Sequence, residues 1–252
     1  MLSNDYNQVI AESRQQLLEN PNNMSAVGRM ARAFCAKGEY REALVEFERL
    51  AAHHRKDEIT NTLAPSNPAY GIDTSTLHWL LGDRTSATSE MHGLAAGVLD
   101  GSIKYGDAGG GMRQGLLLYF MGITAKMPSE AAYALKYLRN RVEKLRKQLG
   151  VHMNVAWPCS VAQYLLGDVA FEAVMECVNH QAKLTAPDSA ARLELGRRSR
   201  LKLALFYDGI RSRALGEEAH CLARMRECLG LEDASNSLES YLARDEVQKA
   251  SL

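Results

Sequence analysis

Aromatic side chains are scarce in this chain of 252 residues, at 7%, and it holds only six prolines and five cysteines. Each scarcity excludes something. Nearly all the prolines lie between apolar-periodic stretches, so long helices are left uninterrupted. Cys35, Cys159, Cys177, Cys221 and Cys228 are odd in number and mostly sit in helical patterns, which speaks against a disulfide framework. They read as structural thiols of a reducing, cytoplasmic compartment. Thirty basic residues balance thirty acidic ones, so there is no net charge to expect nucleic-acid binding from. No run approaches 18 uninterrupted apolar residues, so no membrane span is expected. The start, MLSNDYNQVIAESRQQLL, has no basic stretch followed by an apolar one, so no secretory leader is expected. Strand-like alternation is missing throughout. What remains is an all-α chain.

The most regular stretch is Met24 to Asp57. Val27, Met30, Ala31 and Phe34 recur at helical spacing, and so do Ala43, Leu44, Phe47 and Leu50. Lys37-Gly38-Glu39 separates the two sets as a tight turn. Small Ala31 and Ala43 allow two backbones to approach, with Tyr40 and Phe47 filling the space beside them. This spacing of small and aromatic residues resembles the tetratricopeptide repeat, a helix–turn–helix unit of 34 residues. The resemblance implies protein–protein interaction and carries no catalytic residues over. One such pair cannot bury its apolar face alone, so more are expected.

They are found by setting the same frame on other glycines. Seven residues before Gly38, Gly82 and Gly216 stand Ala31, Ser75 and Gly209, all small. Five residues after stand Ala43, Ala87 and Cys221; nine after, Phe47, Met91 and Met225; twelve after, Leu50, Leu94 and Cys228. A fourth turn at Gly167 departs, because Glu172 and Glu176 fall on the apolar offsets while Phe171, Met175 and Val178 supply an apolar face one residue early. The wide gap between Gly82 and Gly167 places a further turn near residue 126, with Ser129 as the expected cap of the helix after it. The expectation is one domain over 1–252, of helix pairs at about 24–57, 71–99, 112–149, 157–182 and 199–230 with a capping helix at 235–248. The fold class expected is all-α, helix–turn–helix repeats stacked as an α-solenoid or curved superhelical bundle. Residues 55–70 break the pattern and read as a loop or short irregular helix.

Two stretches depart from the ordinary. Residues 100–120, DGSIKYGDAGGGMRQGLLLYF, are glycine-rich ahead of an apolar helix. They lack the Gly-Lys-Ser/Thr ending of a P-loop, and no strand precedes them. The glycines read as permitting unusual dihedrals or close backbone crossing, with a recognition loop and a phosphate cradle as the rivals. Tyr105, Asp107 and Arg113 are its candidate partner-binding residues. The second stretch is the basic run Lys136, Arg139, Arg141, Lys144, Arg146 and Lys147, interrupted only by Glu143. Lys136, Arg139, Lys144 and Arg146 are the candidates there, against the plainer reading of a solvated helix face. A further cluster, Arg192, Arg197, Arg198, Arg200 and Lys202, lies too far along the sequence to be placed beside it.

No catalytic residues, metal ligands or cofactor are expected. The seven histidines form no HExxH pair and no zinc-ligand spacing with cysteine. Cys159 has no flanking nucleophile signature, and no pair of carboxylates is set up for acid–base work. The expected function is a non-enzymatic binding module whose partner is another protein, with no nucleic acid and no membrane. Its pattern also resembles bacterial immunity proteins, which implies a cognate toxin domain as partner. The alternatives are a peptide-binding scaffold or secretion-chaperone adaptor, and a small-ligand regulator or enzyme using the loop at 100–115.

Overall fold

The computed structural model describes residues 5–60, 69–103, 111–150, 157–184, 190–231 and 237–251, without the side chains of 54–60, 69–70, 149, 181–184 and 190–193. Every regular element within them is helical: α1 (Tyr6–Glu19), α2 (Met24–Lys37), α3 (Tyr40–Thr60), α4 (Ala69–Leu80), α5 (Arg84–Asp100), α6 (Met112–Thr124), α7 (Pro128–Leu149), α8 (Cys159–Leu165), α9 (Phe171–Leu184), α10 (Ala190–Ala214), α11 (Glu218–Gly230) and α12 (Leu238–Lys249). No strand occurs among the described residues. None of these helices is long and apolar enough to cross a membrane.

Five turns share one local structure. Gly38, Gly82, Gly167 and Gly216 hold φ at +81°, +90°, +76° and +85°, and Lys126 holds 56° at the equivalent point between α6 and α7. At each, the N–H of that residue bonds the carbonyl three back and the next N–H bonds the carbonyl five back, at 2.7–3.2 Å. This is the Schellman closure, which satisfies carbonyls a helix end would otherwise orphan. Glycine takes the left-handed backbone without a Cβ clash, which is why it marks the turns in sequence. The helices that follow start on different caps. Asp83 accepts from the Ser86 N–H, whereas α7 starts at Pro128 after Met127, with no side-chain cap. Ser129 therefore does not cap it. The proline does the work instead, since it has no N–H to satisfy and its φ already suits a first helical turn.

The small residues of the frame meet across the pairs. Ala31 and Ala43 are both fully buried. Ser75 Oγ donates to the Ala87 carbonyl at 2.7 Å, and a Cβ on Gly209 would lie 3.1 Å from the Cys221 carbonyl. In the α6–α7 pair the close crossing sits nearer the turn: a Cβ on Gly122 would stand 2.5 Å from the Ala131 nitrogen. In the α8–α9 pair Glu172 and Glu176 are exposed, and Val174 and Val178 are buried in their place.

The chain forms two compact units, Met1–Tyr105 and Gly106–Leu252. In the first, each helix from α1 to α5 packs on the next in sequence. In the second, α7 packs on α6 and α8, α9 on α8 and α10, and α11 on α10 and α12, while lesser contacts join α6, α8 and α12 to α10 and α6 to α8. Because α8 has only seven residues, α10 reaches past it to α6, where the Phe120 and Phe206 rings meet at 5.3 Å. Two helices run further than their apolar patterns. α3 continues to Thr60, into the stretch 55–70 expected to be irregular, of which 61–68 lie outside the described residues, and α10 starts at Ala190 rather than near 199. Arg55, Lys56 and Glu58, and Arg192, Leu193, Glu194 and Leu195, are of types that favour helix and extend it without an apolar stripe.

Candidate partner-binding surface

Helix α7 is amphipathic over 22 residues. Ala131, Ala134, Tyr137, Leu138, Val142 and Leu145 face the interior. Arg141, part of the basic run in sequence, faces inward as well and is only 8% exposed. At 100° per residue it falls between Tyr137 and Leu145, which is where a helix of 3.6 residues per turn places it. Lys136, Arg139, Lys144, Arg146 and Lys147 remain, all exposed. With Asn140 and Glu143 they occupy an arc of roughly 160° and a length of about 16 Å. Arg139 reaches Asp168, in the turn before α9, with its Nη1 2.8 and 2.9 Å from the two carboxylate oxygens. No ion pair engages Lys136, Lys144, Arg146 or Lys147 among the described residues.

The other candidates fall elsewhere. Tyr105 and Asp107 lie outside the described residues. Arg113 is on the first turn of α6, not in a loop, and its Nε and Nη2 bond the Glu239 carboxylate of α12 at 2.9–3.3 Å. The Glu239 side chain is 1% exposed, so Arg113 is committed to holding α12. Glycines of the 100–115 stretch do serve as conformational devices where they are seen: Gly101 ends α5 at φ 83° and Gly111 precedes α6 at φ 80°. Tyr137 Oη donates to the Gly111 carbonyl at 2.6 Å, tying that entry to α7. In the second basic cluster, Arg197 and Arg198 both bond Glu194, holding its carboxyl down to about 2. Lys202 is buried, and the Arg192 side chain lies outside the described residues.

A polar cluster unmarked in the sequence joins α8, α10 and α11. Asp208, 5% exposed, accepts from Tyr164 Oη and from Arg224 Nε at 2.7 Å, and His220 Nε2 lies 3.4 Å away. Arg211 stacks over the Tyr164 ring at 4.2 Å and Arg224 over Phe171 at 5.4 Å. Burial, and then the Asp208 contact, push the Tyr164 hydroxyl up to about 12. The three groups around the Asp208 carboxylate, Tyr164, His220 and Arg224, lie 12 to 44 positions from it, so no local motif announces them. A buried carboxylate with this many donors is chemically quiet, and its effect is to clamp three helices.

Cys159 is fully buried and its thiol is pushed up to about 11 by that burial, the opposite of what a nucleophile needs. Among the described residues no three His, Cys, Asp or Glu side chains gather to hold a metal ion.

No protein-family model matches the chain, and no curated protein matches it. Among solved structures it is similar to a tetratricopeptide repeat protein from Parabacteroides merdae, at 11% identity and a TM-score of 0.39, with 96% of this chain and 98% of that chain covered. A likeness of that degree carries no argument, and the all-α fold with its repeated helix pairs rests on the helices and turns described above.

Proposed function

We propose that the chain is a protein-binding module, not an enzyme, and that a protein partner meets it on the exposed face of α7. The observation behind this reading is the row of five exposed cations on a helix of 22 residues, four of them in no ion pair among the described residues. The opposite face of the same helix is anchored by Tyr137, Leu138 and Val142, all 1% exposed or less. A charged face on a rigid support speeds encounter and selects partners of opposite sign.

In its sharper form the partner is a toxin domain that the chain neutralises, a reading supported by the resemblance of the helix-pair pattern to immunity proteins. Co-expression with the product of the neighbouring gene tests both levels. A one-to-one complex, lost when Lys136, Lys144 and Lys147 are all changed to Glu while the helical circular dichroism is kept, supports binding at α7. Protection of cells from that product's toxicity supports neutralisation. A complex indifferent to the triple change refutes the α7 surface, and absence of both complex and protection refutes the toxin reading.

A further inference from the structure

The exposed face of α7 is not uniformly positive. Lys136 and Arg139 form one group, and Lys144, Arg146 and Lys147 form another, with Asn140 and Glu143 between them. The centres of the two groups are about 12 Å apart along the axis, a little over two helical turns. Among the described side chains of α7 no large hydrophobic one is exposed; Tyr137 is fully buried and Tyr133 is half-buried. The face therefore offers no fully exposed apolar anchor, and its one ring, Tyr133, is half-buried and not open on both sides to stack on bases. An even row of phosphates would also run across Glu143. Carboxylates in two separated groups would not.

One carboxylate from another part of the chain already engages this face. Asp168 sits against Arg139, with their side chains 25% and 46% exposed. Such a partly solvated pair is weak and open to exchange.

We infer that the α7 face docks a carboxylate-rich helical segment of a partner protein, with its acids in two groups about two turns apart. We further infer that Asp168 is a built-in competitor, which the partner's carboxylate displaces from Arg139. This rests on the reading of α7 as the binding surface. A partner helix places acids at i and i+7 about 11 Å apart, which matches the two cationic groups. Removing Asp168's charge frees Arg139 and raises the net charge of the face by one, so binding tightens rather than weakens.

The probe is a fluorescein-labelled synthetic helical peptide with paired glutamates two turns apart and alanines between, titrated against the full chain by anisotropy. Binding is expected to weaken roughly tenfold as salt is raised from about 0.05 to 0.3 M, over which the Debye length shrinks to about half or less. Asp168→Asn is expected to tighten it by about threefold to tenfold, and that gain is expected to vanish in the Asp168→Asn, Arg139→Gln double variant. Unchanged circular dichroism and melting temperature check that the variants are folded. No tightening in Asp168→Asn overturns the competitor role. Equal binding of a peptide with the same glutamates clustered at its centre overturns the two-group match. Tighter binding of a short DNA duplex of equal charge assigns the face to nucleic acid and overturns the proposal. If the Lys136, Lys144 and Lys147 changes abolish a natural complex while Asp168→Asn has no effect, α7 stands as the binding surface and this inference falls alone.

Discussion

Lys126 holds a left-handed backbone, φ 56°, at a position where the four matching turns hold glycine. A side chain there costs about 1 kcal/mol relative to glycine, because its Cβ crowds the neighbouring carbonyl. Lys126→Gly is therefore expected to raise stability by about 1 kcal/mol, less the entropy a glycine adds to the unfolded chain. Gly38→Ala is expected to lower it by about the same amount, since φ is +81° and nothing lies within 4 Å to add a steric term. Urea unfolding curves with unchanged slope and shifted midpoints would show both. Opposite shifts would mean that the turn relaxes to another closure. The turn at 126 was placed from spacing alone, because no glycine marks it. The inward side of Arg141 could also be read from the sequence, by following the helical angle rather than listing charges. The Asp208 cluster could not, because its partners come from two helices distant in sequence, α8 and α11.

At the scale of the element, α12 is held through charge as well as packing. Glu239 is nearly unexposed and bonded to Arg113, and Glu246 accepts from Arg213 Nη1 at 2.6 Å. The Tyr207 hydroxyl lies fully buried nearby, and its ionisation is pushed well up by that burial and by Glu239. Arg113→Ala leaves a buried carboxylate without a cation, at a cost of roughly 3 kcal/mol, because removing one partner of a buried pair is worse than removing both. Arg113→Met together with Glu239→Leu is expected to recover most of that loss. A thermal-unfolding cycle over the two singles and the double would show it. If Arg113→Ala alone is neutral, the contact is a surface pair of little consequence. The apolar members of α12, Leu238, Tyr241 and Leu242, are legible as a closing helix. The choice of glutamate at two buried positions is explained only by which arginines stand opposite.

Over the whole molecule, buried thiols set an alkaline limit. Burial raises the Cys35 thiol to about 12 and those of Cys159 and Cys221 to about 11. Between the unfolded thiol value near 9.0 and these folded values, the unfolded chain has lost protons that the folded chain keeps. Stability should thus be insensitive to these groups below about pH 8.5 and fall as pH rises through 9 to 11, by up to about 1.4 kcal/mol per pH unit for each thiol. Urea midpoints measured against pH would follow that course, and replacing Cys159 and Cys221 with alanine would make the fall shallower, leaving the part due to Cys35. A midpoint that stays level up to pH 11 in the wild type would exclude the effect.

The sequence by itself determined the helices, their pairing and the turns between them. These follow from local rules: apolar residues every three or four positions, small residues where backbones cross, and glycine where the backbone turns left-handed. It also determined that α7 is charged. The tertiary structure decided which of those charges are free. It buried Arg141, lent Asp168 to Arg139, turned Arg113 from a recognition candidate into a support for α12, and assembled the Asp208 cluster. It also set the division into two units, Met1–Tyr105 and Gly106–Leu252. Periodicity is a property of neighbours along the chain, whereas ion pairing and burial depend on which distant helix arrives alongside.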